Sequence, residues 1–186
     1  MKKLGVCSAA LALFAFASTA SAGGIGIGAF GGASVPLVQD DNGQGTMYGA
    51  RLPLSLVPLL TVEPYYAKST GGDKDQEVGG STFTRSGIDL TSYGANLMLT
   101  FGTGFQMYPY AGIGTTKSER PGLDASATAY NFGLGFGISP PALKLALHLR
   151  GEMAVVREED ATESARKWAN VTVGVSYGLF SFPPAP

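Results

Sequence analysis

The chain has 186 residues with 13 basic and 14 acidic side chains, so its net charge is close to zero and it offers no basic surface for nucleic acid. Its 27 glycines, 18 phenylalanines and tyrosines, and positive mean hydropathy are an unusual combination for a soluble protein. The length suits a single domain.

The N-terminus has the three parts of a secretory signal peptide. Lys2 and Lys3 precede an apolar run over residues 4–17, and the small residues Ala20-Ser21-Ala22 follow it. The run is shorter than the roughly 20 residues that a membrane-spanning helix needs, and no comparable run follows. These features predict export and exclude a helical membrane protein.

Cleavage after Ala22 would remove residues 1–22 as the signal peptide and leave a domain over 23–180, followed by a short tail over 181–186. The only cysteine, Cys7, would be removed as well, so the mature chain would have neither disulfide nor thiol chemistry. The mature chain would retain 11 basic and 14 acidic residues.

Apolar residues alternate with small or polar ones at a period of two, which predicts β-strands rather than helices. Eight segments show this pattern, in chain order at about 24–35, 46–55, 59–69, 90–101, 105–116, 128–138, 143–155 and 170–179. Each has about the length of a tilted strand that crosses a bilayer. The connections after the odd-numbered segments are long and polar, and the others are short, so both termini lie on the short-turn side.

Two prolines interrupt the predicted strands. Pro64 lies in the third segment and Pro109 in the fifth, and each removes one hydrogen bond of a β-ladder. We therefore expect a bulge or a strand end near each of them.

The sizes of the side chains distinguish a membrane barrel from a soluble one. One face of the segments is bulky and apolar, and the other consists mainly of Gly, Ser, Thr and Asn with a few large charged residues. An eight-stranded barrel has an interior only wide enough for side chains, which suits a polar lumen and a lipid-facing exterior. Aromatic residues near the segment ends indicate interfacial girdles: Tyr66, Tyr93, Tyr130 and Trp168 toward the long loops, and Phe101, Phe105, Phe136 and Tyr177 toward the turns. The predicted fold is all-β, an eight-stranded antiparallel up-and-down transmembrane β-barrel.

Two short motifs resemble those of small bacterial outer-membrane barrels of the porin-like and opacity-protein kind. The first is Tyr108-Pro109-Tyr110-Ala111-Gly112-Ile113-Gly114, and the second is Thr172, Gly174, Tyr177 and Leu179 in the last strand. The resemblance implies outer-membrane localisation, contact with outer-membrane lipid and lipopolysaccharide, and recognition of the second motif by the barrel-assembly machinery. The chain departs from many relatives in continuing past Leu179.

The large polar side chains on the inner face predict a luminal ionic network. Its expected members are Arg51, Glu63, Lys144, His148, Arg150 and Glu152. A turn centred near Val57 would place Arg51 directly opposite Glu63 as an ion pair. Because buried charges must be paired, we interpret the network as a plug that fixes strand register.

The predicted function is that of an integral outer-membrane barrel with a structural or surface-interaction role through four long extracellular loops. Two alternatives remain open, a narrow porin for small solutes and an outer-membrane lipid-modifying enzyme. The enzyme would use His148 as the base and Ser176 as the nucleophile, placed opposite each other if the last loop is centred near Thr162. A polar lumen and the neighbouring Arg150 argue against acyl-chain chemistry there. The sequence offers no ligand spacing for a metal, no cofactor motif and no identifiable extracellular ligand; Glu158, Glu159 and Asp160 fit a solvated loop tip.

Overall fold

The computed structural model describes residues 23–37, 43–120, 123–140, 143–157 and 165–181, nearly all of them in β-strands. The strands are β1 (Gly24–Pro36), β2 (Gly43–Arg51), β3 (Leu54–Val57), β4 (Leu60–Gly72), β5 (Lys74–Val78), β6 (Ser81–Arg85), β7 (Asp89–Leu99), β8 (Phe105–Arg120), β9 (Leu123–Ile138), β10 (Leu145–Arg157) and β11 (Arg166–Ser181). Within these ranges no helix is both long and apolar enough to cross a bilayer.

The main sheet closes on itself through an antiparallel ladder between β1 and β11. Because β2 and β3 both pair with β1 and β4, together they occupy one of the eight strand positions around the barrel, with an interruption between them. We call each of these eight positions a stave. Neighbouring staves follow in chain order as β1, β2 with β3, β4, β7, β8, β9, β10 and β11. The predicted eight-stranded antiparallel barrel is confirmed.

Pro64 in β4 and Pro109 in β8 each lie beside a break in a ladder. The second stave is interrupted at Leu52 and Pro53, where the Leu52 amide donates to the Pro64 carbonyl over 2.9 Å. The ladder between β7 and β8 ends at Tyr110, next to Pro109, whereas the ladder between β8 and β9 passes Pro109 without a shift. Each proline thus occupies the kind of position that the sequence predicts.

The two faces of the barrel differ as the alternation predicts. Large apolar side chains point outward, and Leu147, for example, is 60% exposed. The inner face carries glycine, hydroxyl and amide side chains together with the charged residues. A polar interior and an apolar exterior suit a lipid surround.

Two predicted loops are more ordered than their polarity indicates. The second long loop, which follows β4, contains a separate hairpin of β5 and β6, which turns at Gly79 (φ 63°) and Gly80 (φ 83°). Consecutive positive φ values are those of a tight hairpin turn, and glycine adopts them without strain. The third long loop, predicted over 117–126, is mostly strand instead, because β8 and β9 remain paired up to Arg120 and Leu123.

Trp168 does not belong to the interfacial girdle, so that prediction is wrong. Its side chain is 6% exposed and points into the barrel, where it packs with Ala127, Ala129 and Val156. Tyr66, Tyr93 and Tyr130 do point outward.

The expected signal peptide over 1–22 and the acidic tip over 158–160 lie outside the described residues. Ser181, assigned to the tail, is the last residue of β11, and 182–186 are not described.

Candidate functional site in the barrel lumen

Small residues on β9 make room for large rings on β8. Gly133 and Gly135 face the lumen beside Tyr110 and Tyr108, and a Cβ atom at Gly135 would overlap the Tyr108 ring. Both tyrosine rings are buried and lie close together, with centroids 6.5 Å apart. The glycines therefore allow the tyrosines to lie across an interior too narrow for large side chains on every strand.

The central contact of the lumen is an ion pair between Glu63 and Arg150. The Arg150 Nη1 and Nη2 atoms donate to the Glu63 Oε1 and Oε2 atoms over 2.6 and 2.8 Å, and the arginine and glutamate are 6% and 1% exposed. The guanidinium Cζ lies 5.0 and 5.2 Å from the ring centroids of Tyr108 and Tyr110. Since β4 and β10 stand on opposite sides of the eight-stave ring, this pair spans the lumen.

Arg51 is luminal, but the predicted ion pair with Glu63 is wrong. The residue directly opposite Arg51 is Tyr65, because the turn is centred one residue later than predicted. A one-residue shift of the turn centre moves the partner by two residues and keeps it on the same face. Arg51 is 3% exposed, its Cζ lies 5.4 Å from the Phe30 centroid, and its Nε and Nη2 atoms have no hydrogen-bond partner.

Glu152 is held by neutral donors. Tyr110 donates its hydroxyl to one carboxylate oxygen over 3.1 Å, and the Asn170 Nδ2 atom donates to the other over 3.0 Å. This fixes the orientation of the Asn170 amide and turns its Oδ1 atom, which has no partner, away from Glu152. Arg51 and Asn170 line the same cavity of about 30 Å³, enough for a water molecule or two.

A second set of amides connects three staves. Asn131 on β9 donates to the Asn96 Oδ1 atom over 2.9 Å and to the Tyr65 hydroxyl over 3.1 Å. Asn96 lies on β7 and Tyr65 on β4, so the contacts cross the lumen. Sequence reasoning missed these asparagines; the available signal was that amides, which both donate and accept, recur at inward positions among glycines and hydroxyl residues.

His148 and Ser176 are in contact but not opposite each other. Gly174 lies opposite His148, because the last loop is centred one residue earlier than predicted. The His148 Nε2 atom nevertheless lies 2.7 Å from the Ser176 Oγ atom, and its Nδ1 atom lies 2.8 Å from the Tyr108 hydroxyl. Tyr108 accepts in turn from the Arg150 Nε atom over 3.2 Å, so these residues form one connected chain.

Lys144 does not join the network, and its inclusion is wrong. It lies in the turn before β10, where its side chain is exposed. The β10 strand begins only at Leu145, so the inward alternation does not extend to Lys144.

The four residues of the assembly motif divide between the two faces of β11. Thr172 and Gly174 face the lumen, and Gly174 lies against the Arg51 guanidinium. Tyr177 and Leu179 are exposed on the outer face.

A second cavity of about 30 Å³ lies nearer the long loops and is lined by Trp168 and by hydroxyl residues such as Ser34 and Thr116. Among the described residues, no group of three or more histidine, cysteine or carboxylate side chains is placed to bind a metal ion. Each of these two cavities has room for little besides a water molecule or two.

The sequence matches the model of one known protein family over most of its length. The model of the outer membrane protein beta-barrel domain matches residues 5–178. No curated protein sequence matches the chain significantly.

Solved structures with a similar fold come from several bacteria. Neisserial surface protein A is 14% identical with a TM-score of 0.60, over 82% of this chain and 96% of that chain. The N-terminal β-barrel domain of Pseudomonas aeruginosa OprF is 13% identical with a TM-score of 0.54, over 86% and 99%. A major outer membrane protein from Thermus thermophilus is 11% identical with a TM-score of 0.53, over 85% and 100%. At these identities the likeness is one of fold.

Proposed function

Because the chain belongs to the family of outer membrane protein beta-barrel domains and lies in the bacterial outer membrane, we propose that it is a closed, non-conducting barrel that acts at the cell surface through its long loops. The polar lumen then serves as a plug that holds the strands in register. The loops present the interacting surface.

The observation that carries this proposal is the Glu63–Arg150 pair across the lumen. A bidentate contact between opposite staves, flanked by Tyr108 and Tyr110, occupies the cross-section at that level. Eight strands leave no aqueous channel once the interior is filled. A narrow porin, the main alternative, would need this pair to separate.

Planar-bilayer recording tests the plug. The wild-type protein should give little or no steady conductance, and the double variant Glu63→Ala with Arg150→Ala should give a larger leak because it removes the spanning pair. Glu77→Ala, in the hairpin outside the barrel, is the control and should behave as wild type. Large, stable currents from the wild-type protein would refute the plug and favour a porin.

The route to the membrane follows from the sequence. We propose that residues 1–22 direct export and are cleaved, and that Thr172, Gly174, Tyr177 and Leu179 are read by the barrel-assembly machinery. Outer-membrane lipid and lipopolysaccharide are the proposed surround. The protein should fractionate with outer membranes and migrate faster on gels when unheated, and Tyr177→Ala with Leu179→Ala should reduce the assembled fraction. Recovery as a soluble periplasmic protein would refute the whole proposal.

The lipid-modifying enzyme is the alternative that one contact favours, the 2.7 Å approach of His148 to Ser176. The other ring nitrogen of His148 meets a tyrosine hydroxyl instead of a carboxylate, and neither residue lines the two cavities. We therefore propose a structural role for the pair. Release of fatty acid from phospholipid vesicles by the wild-type protein, but not by Ser176→Ala, would support the enzyme instead.

A further inference from the structure

We propose that the outer face of β4, β7 and β8, at the end nearest the long loops, binds the phosphates of lipopolysaccharide through Lys68 and Lys117. The inference rests on the proposed function, because it needs the barrel to stand in the outer membrane with its long loops outward. It adds a defined site on one side of the barrel.

The two lysines lie in one row of the sheet. Lys68 on β4 pairs with Thr91 on β7, and Thr91 pairs with Lys117 on β8. Directly paired residues share a face, and neighbouring strands are about 4.8 Å apart. The Cα atoms of the lysines are therefore about 10 Å apart by that spacing, with a hydroxyl between them, and both side chains are exposed.

Tyrosines mark the height of this row in the membrane. Tyr66 and Tyr93 lie two residues nearer the middle of the barrel, pair with each other, and are 48% and 43% exposed on the outer face. Tyr48 pairs with Lys68 and is exposed too. Because tyrosine rings favour the membrane–water interface, the lysines lie at the level of the lipid headgroups.

The position of Lys117 shows which way its charge is directed. Asp89 and Glu119 lie two residues further toward the loops on the same face, directly opposite each other. Even so, the Lys117 ammonium lies 5.9 Å from the centroid of the Tyr93 ring, on the membrane side of its own Cα atom. The described residues contain no ion-pair partner for Lys117 or Lys68, so both charges can meet an anionic headgroup.

The spacing favours a headgroup that carries more than one phosphate. Basic side chains near a membrane surface attract anionic lipids. Phosphatidylglycerol has a single phosphate and can satisfy one lysine, whereas the phosphorylated disaccharide of lipopolysaccharide can meet both. Its sugar hydroxyls can also form hydrogen bonds with Thr91 and Tyr48 between and beside the lysines.

Binding of diphosphoryl lipid A to the full chain, refolded in detergent micelles, tests the site by native mass spectrometry. Lys68→Ala and Lys117→Ala should each weaken binding about five-fold, and the double variant about 25-fold, since a basic residue near an anionic lipid contributes about 1 kcal/mol. Lys167→Ala is the matched control. Lys167 is exposed on β11, opposite β7 across the barrel, and its loss should change binding less than about two-fold.

The outcomes separate this inference from the proposed function. Faster migration of unheated samples shows that each variant is folded, and Lys68→Gln with Lys117→Gln replaces the alanine pair if that pair does not fold. A folded wild-type barrel that does not bind lipid A, or an equal loss in Lys167→Ala, would overturn the site and leave the barrel intact. Phosphatidylglycerol bound as tightly and with the same lysine dependence would overturn the assignment to lipopolysaccharide.

Discussion

Among the described residues, the Glu63–Arg150 pair should be the strongest single polar contact. Glu63→Gln keeps the shape of the side chain and removes its charge, so Arg150 would remain as an uncompensated cation in an interior with little water. Breaking a buried ion pair costs about 3 to 5 kcal/mol of unfolding free energy, and less where water can enter. Arg150→Met should cost a similar amount because it strands Glu63 and also removes contacts with Tyr108 and Tyr110.

The double variant Glu63→Gln with Arg150→Met should recover much of the loss, because neither charge is then unpaired. Urea unfolding in lipid vesicles measures the free energies, with fluorescence of Trp168, the only tryptophan, as the signal. The control is the same cycle on Glu63 and Arg51, which make no direct ion pair and should couple far less. Coupling of Glu63 with Arg150 below about 0.5 kcal/mol, the scatter expected for independent sites, would refute the pair.

Three further predictions test the two faces of the barrel. Leu147→Arg, on the lipid face, should lower the unfolding free energy by about 2 to 4 kcal/mol if it lies near the midplane, and a near-zero effect in the same urea titration would contradict the outward assignment. Gly135→Ala should lower the unfolding free energy by about 1 to 3 kcal/mol, because the new methyl group would overpack against Tyr108. The control Gly151→Ala should be nearly neutral, because its methyl group would meet no atom within 4 Å. Equal losses in the two variants would contradict the packing of Gly135 against Tyr108. Trp168 fluorescence should resist quenching by brominated lipids, because the ring lies inside the barrel. Strong quenching would show that the ring instead faces the lipid at the membrane interface.

The fold could be predicted because it depends on which face of a strand each side chain occupies. The alternation of apolar and small or polar residues in the sequence displays this directly. In β9, residues such as Phe132, Leu134 and Phe136 alternate with glycines, and their assignment to opposite faces needs no knowledge of neighbouring strands. Strand length and alternating loop length then specify a barrel. A prediction of this kind tolerates errors of one or two residues at each strand end.

The contacts within the lumen depend on register, which sequence determines less well. The predicted cross-strand positions of Arg51 and His148 are each two residues from the observed ones, because a turn or loop centre differs by one residue. Both residues lie on the predicted inner face, but Arg51 does not meet Glu63, whereas His148 still contacts Ser176 diagonally. The Glu63–Arg150 contact joins staves on opposite sides of the ring, so no counting along neighbouring strands would have found it.

Trp168 shows how an expectation based on residue type can conflict with the pattern. It has the same parity as Asn170 and Thr172, which face the lumen, so alternation alone predicts an inward side chain. The preference of tryptophan for interfaces suggested the opposite. Small neighbours, Ala127 and Ala129, provide the space that the ring needs inside.

The hairpin of β5 and β6 has its own two-stranded sheet and shares no ladder with the barrel. Insertions, deletions or a wholly different sequence over 74–85 would therefore leave every stave-to-stave hydrogen bond in place. The sequence of this hairpin could then vary widely while the ladders of the barrel wall remain intact. The separation gives the molecule one part that can diversify rapidly and another that must not.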